Sequence, residues 1–229
     1  MKLRAGHVDC FRRLRLSMLM GLFQECCIAH TEALGMGREK TLDRGFLWVI
    51  NSEAIEIRRL PEYDEEITLI CYPGKMLHFF FPRQMIVTDK DGCEIIRIGA
   101  LWSLIDETSR QLIDPEENGI LLPGENRQGD IIPALSLPKA SLPFIAGSRY
   151  ASYSLVDING HLNNTSYLDM ASDLIGFEEL ERSELRSVKC LFRKEIPAGT
   201  GFEICWGKEN GSYRFQNEFF TLEMDFTEK

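Results

Sequence analysis

Apolar and polar positions alternate between two periods along this chain, and the two periods appear twice in the same order. Between residues 17 and 34, Leu19, Leu22, Phe23, Cys26, Ala29, His30 and Ala33 keep helical spacing, and Gly35 and Gly37 supply a stop. The spacing predicts one long helix with a single buried stripe. Four strand-like runs follow at 46–58, 65–72, 77–88 and 93–105, separated by Pro61, Pro73-Gly74 and the turn-forming Asp89-Lys90-Asp91-Gly92. A strand-like run at 149–156 then leads into a second helical pattern, with Tyr167, Leu168, Ala171, Leu174 and Ile175 on one face. Strand-like segments return at 187–195, 202–206, 213–217 and 219–226. Between them, residues 114–147 lose both periods and carry five of the nine prolines, Pro115, Pro123, Pro133, Pro138 and Pro143, as an extended connection would. The expected organisation is an α+β fold with units at 1–113 and 148–229 joined by a Pro-rich linker at 114–147. In each unit a long helix is wrapped by a curved antiparallel sheet, the economical way to bury each stripe.

Composition narrows the functions available. The chain has 229 residues, 44% of them hydrophobic, enough for a substantial core. A net charge of −9 argues against nucleic acid or an anionic membrane as the main partner, since both need a basic surface. Seven cysteines, an odd number with no CxxC pair or zinc spacing, fit a reduced cytoplasmic setting. Arg12, Arg13 and Arg15 precede an apolar run, but no small-x-small cleavage site follows, so this run is read as the start of the amphipathic helix rather than a signal peptide. No apolar run approaches the roughly 18 residues of a membrane span. Motifs for a metal, nucleotide or flavin are lacking, and no cofactor is expected.

The candidate chemistry lies in Asp157-Ile158-Asn159-Gly160-His161-Leu162-Asn163-Asn164. In an extended segment, Asp157, Asn159 and His161 would point to one side, toward a common pocket, while Ile158 and Leu162 pack behind. Gly160 would let the backbone turn, and Asn163 and Asn164 would cap a helix starting near Asn164, whose positive end suits a developing negative charge. The same residues also suit an ordinary turn and N-cap. Glu195 taken alone reads as a solvated strand-end carboxylate paired with Arg193 or Lys194, His30 as a packed helix residue, and His78, beside three phenylalanines, as buried.

Several spaced motifs, in order along almost the whole chain, resemble the acyl-carrier-protein (ACP) thioesterases of plants and bacteria. They include Leu22-Phe23-Gln24-Glu25, Trp48-Val49, Ile55-Glu56-Ile57-Arg58-Arg59-Leu60-Pro61 and Gly99-Ala100-Leu101-Trp102-Ser103-Leu104-Ile105-Asp106. The second half adds Asp157-x-Asn159-x-His161-x-Asn163-Asn164-x-x-Tyr167 and Phe192-Arg193-Lys194-Glu195. The resemblance implies a tandem hot-dog fold and hydrolysis of fatty acyl-ACP thioesters to free fatty acid, ending chain elongation. Acyl-coenzyme A hydrolysis at the same site and a non-catalytic acyl-binding protein are the alternatives. Carried over position by position, it implies that Asp157, Asn159, His161 and Glu195 are catalytic, with His161 and Glu195 handling protons and water. Asn159 would hold the oxyanion, and Asp157 would orient Asn159 or attack directly through an anhydride. Many plant members carry a cysteine directly after that glutamate; here the position is Ile196, so a thiol nucleophile there is excluded, and Cys190 reads as a core residue. The first half lacks a copy of the cluster and would shape the acyl pocket, with Trp48, Phe23 and methionines as lining. The implied partner is an ACP bearing a phosphopantetheine-linked acyl chain, and a homodimer is compatible. Docking would use Arg12, Arg13 and Arg15, or Arg182, Arg186, Lys189, Arg193 and Lys194.

Overall fold

A computed structural model describes residues 1–138 and 140–229; Lys139, in the expected linker, lies outside the described residues. Helix α1 (Leu16–Ala33) is followed by strands β1 (Phe46–Ile57), β2 (Ile67–Pro73), β3 (Phe81–Asp89) and β4 (Glu94–Asp106). After the linker come β5 (Phe144–Tyr150), α2 (Ser166–Ile175), α3 (Phe177–Arg182), β6 (Ser183–Phe192), β7 (Gly201–Glu209), β8 (Ser212–Gln216) and β9 (Phe220–Glu228). All nine strands form one antiparallel sheet in the order β2-β3-β4-β1-β6-β9-β8-β7-β5. The fold is a tandem hot-dog, as expected. Its two halves meet edge to edge, where β1 pairs with β6 from Ser52 opposite Leu191 to Glu56 opposite Ser187.

Helices α1 and α2 each bury a stripe in the core against the sheet, but α1 is rotated from the expected face. The buried residues are Leu16, Leu19, Met20, Phe23 and Cys27, while Ala29 and Ala33 are exposed. Fully burying one such large side chain stabilises by roughly 1.5–3 kcal/mol, so packing on the strands fixes the rotation. β3 begins at Phe81, not at residue 77. Leu77 and Phe80 close a tight turn through reciprocal backbone hydrogen bonds of 2.9 and 3.0 Å, and His78 sits exposed in it with φ of 53°. That overturns the buried reading of His78.

The linker is neither free nor wholly extended coil. Gly99 on β4 has no room for a side chain, because a Cβ there would lie 2.1 Å from the Ile131 carbonyl oxygen, so the linker backbone rests directly on the sheet. The Gln84 side chain donates to the Ile131 carbonyl and accepts from its amide, and Ile120 and Leu122 are buried against Phe81 and Leu104. The last residues of the expected linker, from Phe144, already belong to β5.

Glu53 lies in the seam strand β1, opposite Cys190 of β6 and Ala100 of β4, and is 5% exposed. Burial pushes its carboxyl up to about 8, so it is protonated at neutral pH.

Candidate active site

Residues 157–161 form a closed turn rather than an extended segment, so the expected alternation of faces does not hold. The Asp157 amide donates to the His161 carbonyl at 2.8 Å and the Gly160 amide to the Asp157 carbonyl at 3.1 Å. Asp157 Oδ1 accepts from the backbone amides of Asn159 (2.9 Å) and His161 (3.2 Å). Gly160 occupies the left-handed region at φ 78°, which a side chain would resist. Ile158 is therefore turned out, 96% exposed, whereas Leu162 is buried as expected. The local carboxylate and the glycine outweigh the strand period because the turn they make satisfies four amides within five residues.

The turn is pinned to the segment after β6: the Leu162 amide donates to the Ile196 carbonyl (2.8 Å) and the Ala198 amide to the Gly160 carbonyl (2.9 Å). That clamp brings His161 and Glu195 together, with Nδ1 3.5 Å from Oε1. Glu195 does not pair with Arg193 or Lys194. Its Oε2 takes an ion pair from Arg110, which reaches over from the loop after β4 with φ of 58°. Arg193 instead donates to Thr221, and Lys194 pairs with Glu218. The His161 imidazole is held below its ordinary value of 6.5, first by burial and then by the Arg110 charge, with Asp157 pulling the other way. It is therefore mostly neutral at pH 7 and able to accept a proton.

A cavity of about 580 Å³ opens beside the turn, its wall shared by both halves. Asp157, Asn159, Asn163 and Asn164 line it from the second half, and Trp48, Phe81, Trp102 and Met36 are among its apolar lining from the first. Such a volume suits a small-molecule or chain-like ligand. Phe23 is fully buried in the core and does not line it. Asn163 Oδ1 accepts from the Thr165 amide at 2.9 Å, supporting the start of α2 two residues later than expected.

The profile of the acyl-ACP thioesterase N-terminal domain matches residues 1–118, and that of the C-terminal domain matches residues 149–224. The chain belongs to the acyl-ACP thioesterase family. An acyl-[acyl-carrier-protein] hydrolase from the chloroplast of Cuphea viscosissima is 24% identical over 217 residues, covering 84% of this chain and 50% of that protein. A chloroplastic dodecanoyl-[acyl-carrier-protein] hydrolase of Umbellularia californica is 23% identical over 207 residues, covering 84% and 54%. The chain thus spans about half the length of the curated relatives it matches. Among solved structures, an acyl-ACP thioesterase from Bacteroides thetaiotaomicron superposes with a TM-score of 0.87 at 21% identity, over 99% of this chain and 96% of that one. The 12:0-ACP thioesterase from Umbellularia californica gives 0.84 at 19%, over 100% and 96%.

In this acyl-ACP thioesterase family member, Arg110 is the site residue that sequence reasoning missed. It lies in the other half, in a loop whose only local signals are turn residues. Cys190 is 3% exposed and burial pushes its thiol well up, in keeping with a core role. His30 is half-buried, its Nδ1 3.2 Å from Arg83. Most of the second basic cluster is already engaged: Arg182 pairs with Glu179, Arg186 with Glu184 and Lys189 with Glu223. In the first cluster Arg13 pairs with Asp9, and Arg12 is exposed. No helix among the described residues is long and apolar enough to cross a membrane.

Proposed function

We propose that this protein hydrolyses fatty acyl thioesters carried on ACP, releasing free fatty acid and the carrier thiol and so ending chain elongation. The observation that carries this reading is a neutral His161 clamped beside Glu195 on a turn whose Asp157, Ile158 and Asn159 line the 580 Å³ cavity, His161 and Glu195 themselves standing behind that lining. With Nδ1 facing Glu195, the other ring nitrogen is the one to take a proton from water. The water oxygen bonds to the thioester carbonyl carbon, and the carbonyl oxygen becomes an oxyanion. Asn159, at the cavity rim, supplies a side-chain amide donor for that charge, while the Thr165 and Ser166 amides that open α2 are already taken by Asn163. Collapse of the intermediate breaks the carbon–sulfur bond, and the thiolate, whose acid has a pKa near ~8.5, needs little further assistance. Asp157, its Oδ1 taken up by two amides, acts as the positioning residue of the turn. Arg110, ion-paired with Glu195 Oε2, holds that carboxylate in place beside His161. The exposed Arg12 and its neighbours form the better of the two candidate patches for an acidic carrier, acting locally within a screening length of ~8 Å. The seven free cysteines favour a reducing, cytoplasmic setting.

Free-thiol release from a length series of acyl-ACP thioesters, with the matching coenzyme A thioesters alongside, tests this reading. Turnover favouring the carrier protein is expected. Equal or better turnover of coenzyme A thioesters would move the substrate class to acyl-coenzyme A, and binding without turnover would leave an acyl-binding protein.

A further inference from the structure

Arg83 is a charged residue in an unexpected place. It stands on β3 in line with Phe81, Met85 and Val87, under the second half of α1, and is 2% exposed. Its guanidinium donates to Thr31 Oγ1 (3.3 Å) and to the Cys27 carbonyl (3.1 Å) and lies 3.2 Å from His30 Nδ1 and 3.8 Å from Cys71 Sγ. Its Nε, also buried, has no partner. Among the described residues no carboxylate comes within 4.0 Å of it, so the buried cation is met by neutral groups and by the Cys71 thiol, which the Cys27 hydrogen bond and the Arg83 charge hold below the usual thiol range and which lies at the longest of these distances. Stability does not favour that arrangement, since an isolated buried charge is costly and is ordinarily paired.

Arg83, Thr31 and Cys27 all line the same cavity that opens at the catalytic turn. Asp157 and Asn159 belong to the second half's wall of the cavity, and Arg83 with Gln24 and Thr31 forms a polar patch beside the aromatic Trp48, Phe81 and Trp102 of the first half; the other charged lining residues of that half, Glu25, Glu32 and Arg38, are exposed, whereas Arg83 is buried. A pocket made for a plain hydrocarbon chain has no use for a guanidinium there. One made for a chain that carries an oxygen does, because a carboxylate or hydroxyl would complete both the hydrogen bonding and the charge of Arg83.

We propose that the acyl chain accepted by this cavity bears an oxygen function distant from the thioester, best a carboxylate, which Arg83 binds. This inference rests on the thioesterase reading above and specifies its substrate class. Arg83 is then a specificity-determining residue, and no step of the hydrolysis passes through it.

The test compares length-matched ACP thioesters ending in a methyl, a hydroxyl or a carboxyl group, on the full chain and on Arg83→Met and Arg83→Lys. At the best length, kcat/KM is expected to favour the oxygen-bearing chain by about tenfold or more, the size of one hydrogen bond to a charged group. Arg83→Met should erase or invert that ratio, and Arg83→Lys should keep part of it. A ratio is read so that a general loss of activity does not imitate the effect. Preference for methyl-ended chains at every length, or a ratio unmoved by Arg83→Met in folded protein, overturns the proposal. If Arg83→Met does not fold, the parent's own ratio and that of Arg83→Lys decide. If no thioester of any kind is turned over, the thioesterase reading fails instead. Calorimetric binding of a dicarboxylic against a monocarboxylic acid of equal length then decides the pocket separately: tighter dicarboxylic binding supports the role of Arg83, and equal or weaker binding overturns it.

Discussion

The loops before α1 and α2 are built to one plan, yet the side chains proposed for catalysis stand in only one of them. In the first half, the Asp9 amide donates to the Arg13 carbonyl at 2.8 Å, and Asp9 Oδ1 accepts from the amides of Phe11 and Arg13, both at 2.9 Å. The Leu14 amide bonds the Pro61 carbonyl as the Leu162 amide bonds that of Ile196, and Val8 bridges Leu14 as Val156 bridges Leu162. Arg12, at φ 65°, stands where Gly160 stands at 78°. On this common frame Phe11 replaces Asn159, Arg13 replaces His161, and Leu60, preceding Pro61, takes the place of Glu195. Phe11 also packs edge-on against Phe177 of α3, 6.5 Å between ring centres, and Arg13 lies 4.8 Å over the Phe11 ring. The backbone turn and its aspartate are thus structural equipment shared by both halves, and the proposed chemistry rests on three side chains added to it.

The largest effect is expected of His161→Arg, which writes the first loop's residue into the second. A fall in kcat of roughly 10²-fold or more is expected from loss of the general base, with a thermal midpoint close to the parent's because Arg13 already fits this turn. A retained rate would remove His161 from the mechanism. Glu195→Gln should cost about 10-fold to 10²-fold in kcat by steady-state assay, since it removes the carboxylate that orients His161 and water. Asp9→Ala and Asp157→Ala sharpen the contrast. Each should destabilise by about 1–2 kcal/mol in denaturant titration through two lost amide hydrogen bonds, while only Asp157→Ala lowers turnover.

Gly160→Ala and Arg12→Gly should shift stability in opposite directions by about 1 kcal/mol, read as the urea midpoint. At Gly160 a Cβ meets no atom within 4 Å, so the cost there is conformational alone. The smallest effect is on pH dependence. Because the folded His161 is held below 6.5, the acid limb of kcat/KM should lie below that value. Replacing Arg110 with Gln removes a positive neighbour, favours the imidazolium and moves the limb upward. An unmoved limb would mean that Arg110 does not act on His161.

Much of this architecture is legible in the chain because periodicity is local: both helices, most strands and the Asp89–Gly92 hairpin follow from spacing and turn residues. The rotation of α1 is not, because adjacent Cys26 and Cys27 fit a helical stripe equally well until a sheet chooses between them. The four motif residues were named from the sequence, but their geometry was misread. Five residues of alternating polarity look like a strand, and only the reach of the Asp157 carboxylate to two amides reveals a turn. Arg110 could not be found at all, since its partner lies in the other half and only the β1–β6 junction of the sheet brings the halves together. The duplicated loop was missed for a related reason: its likeness is in hydrogen bonds, with Val, Asp and Leu alone retained of the seven side chains.

The seam between the halves has a consequence for proton traffic. Glu53 binds its proton up to about 8 in the folded chain and releases it near 4.5 when free in solvent. Between those values the native state holds a proton that the unfolded state has lost, so folding takes one up from solution. This group's contribution to stability is most favourable below pH 4.5, declines steadily as pH rises to 8 and is flat beyond, amounting to a penalty on the order of 3 kcal/mol at pH 7. The strand pairing that makes one sheet out of two therefore works against a titration whose direction is opposite to that of most surface carboxylates, and mild acidity tightens the join.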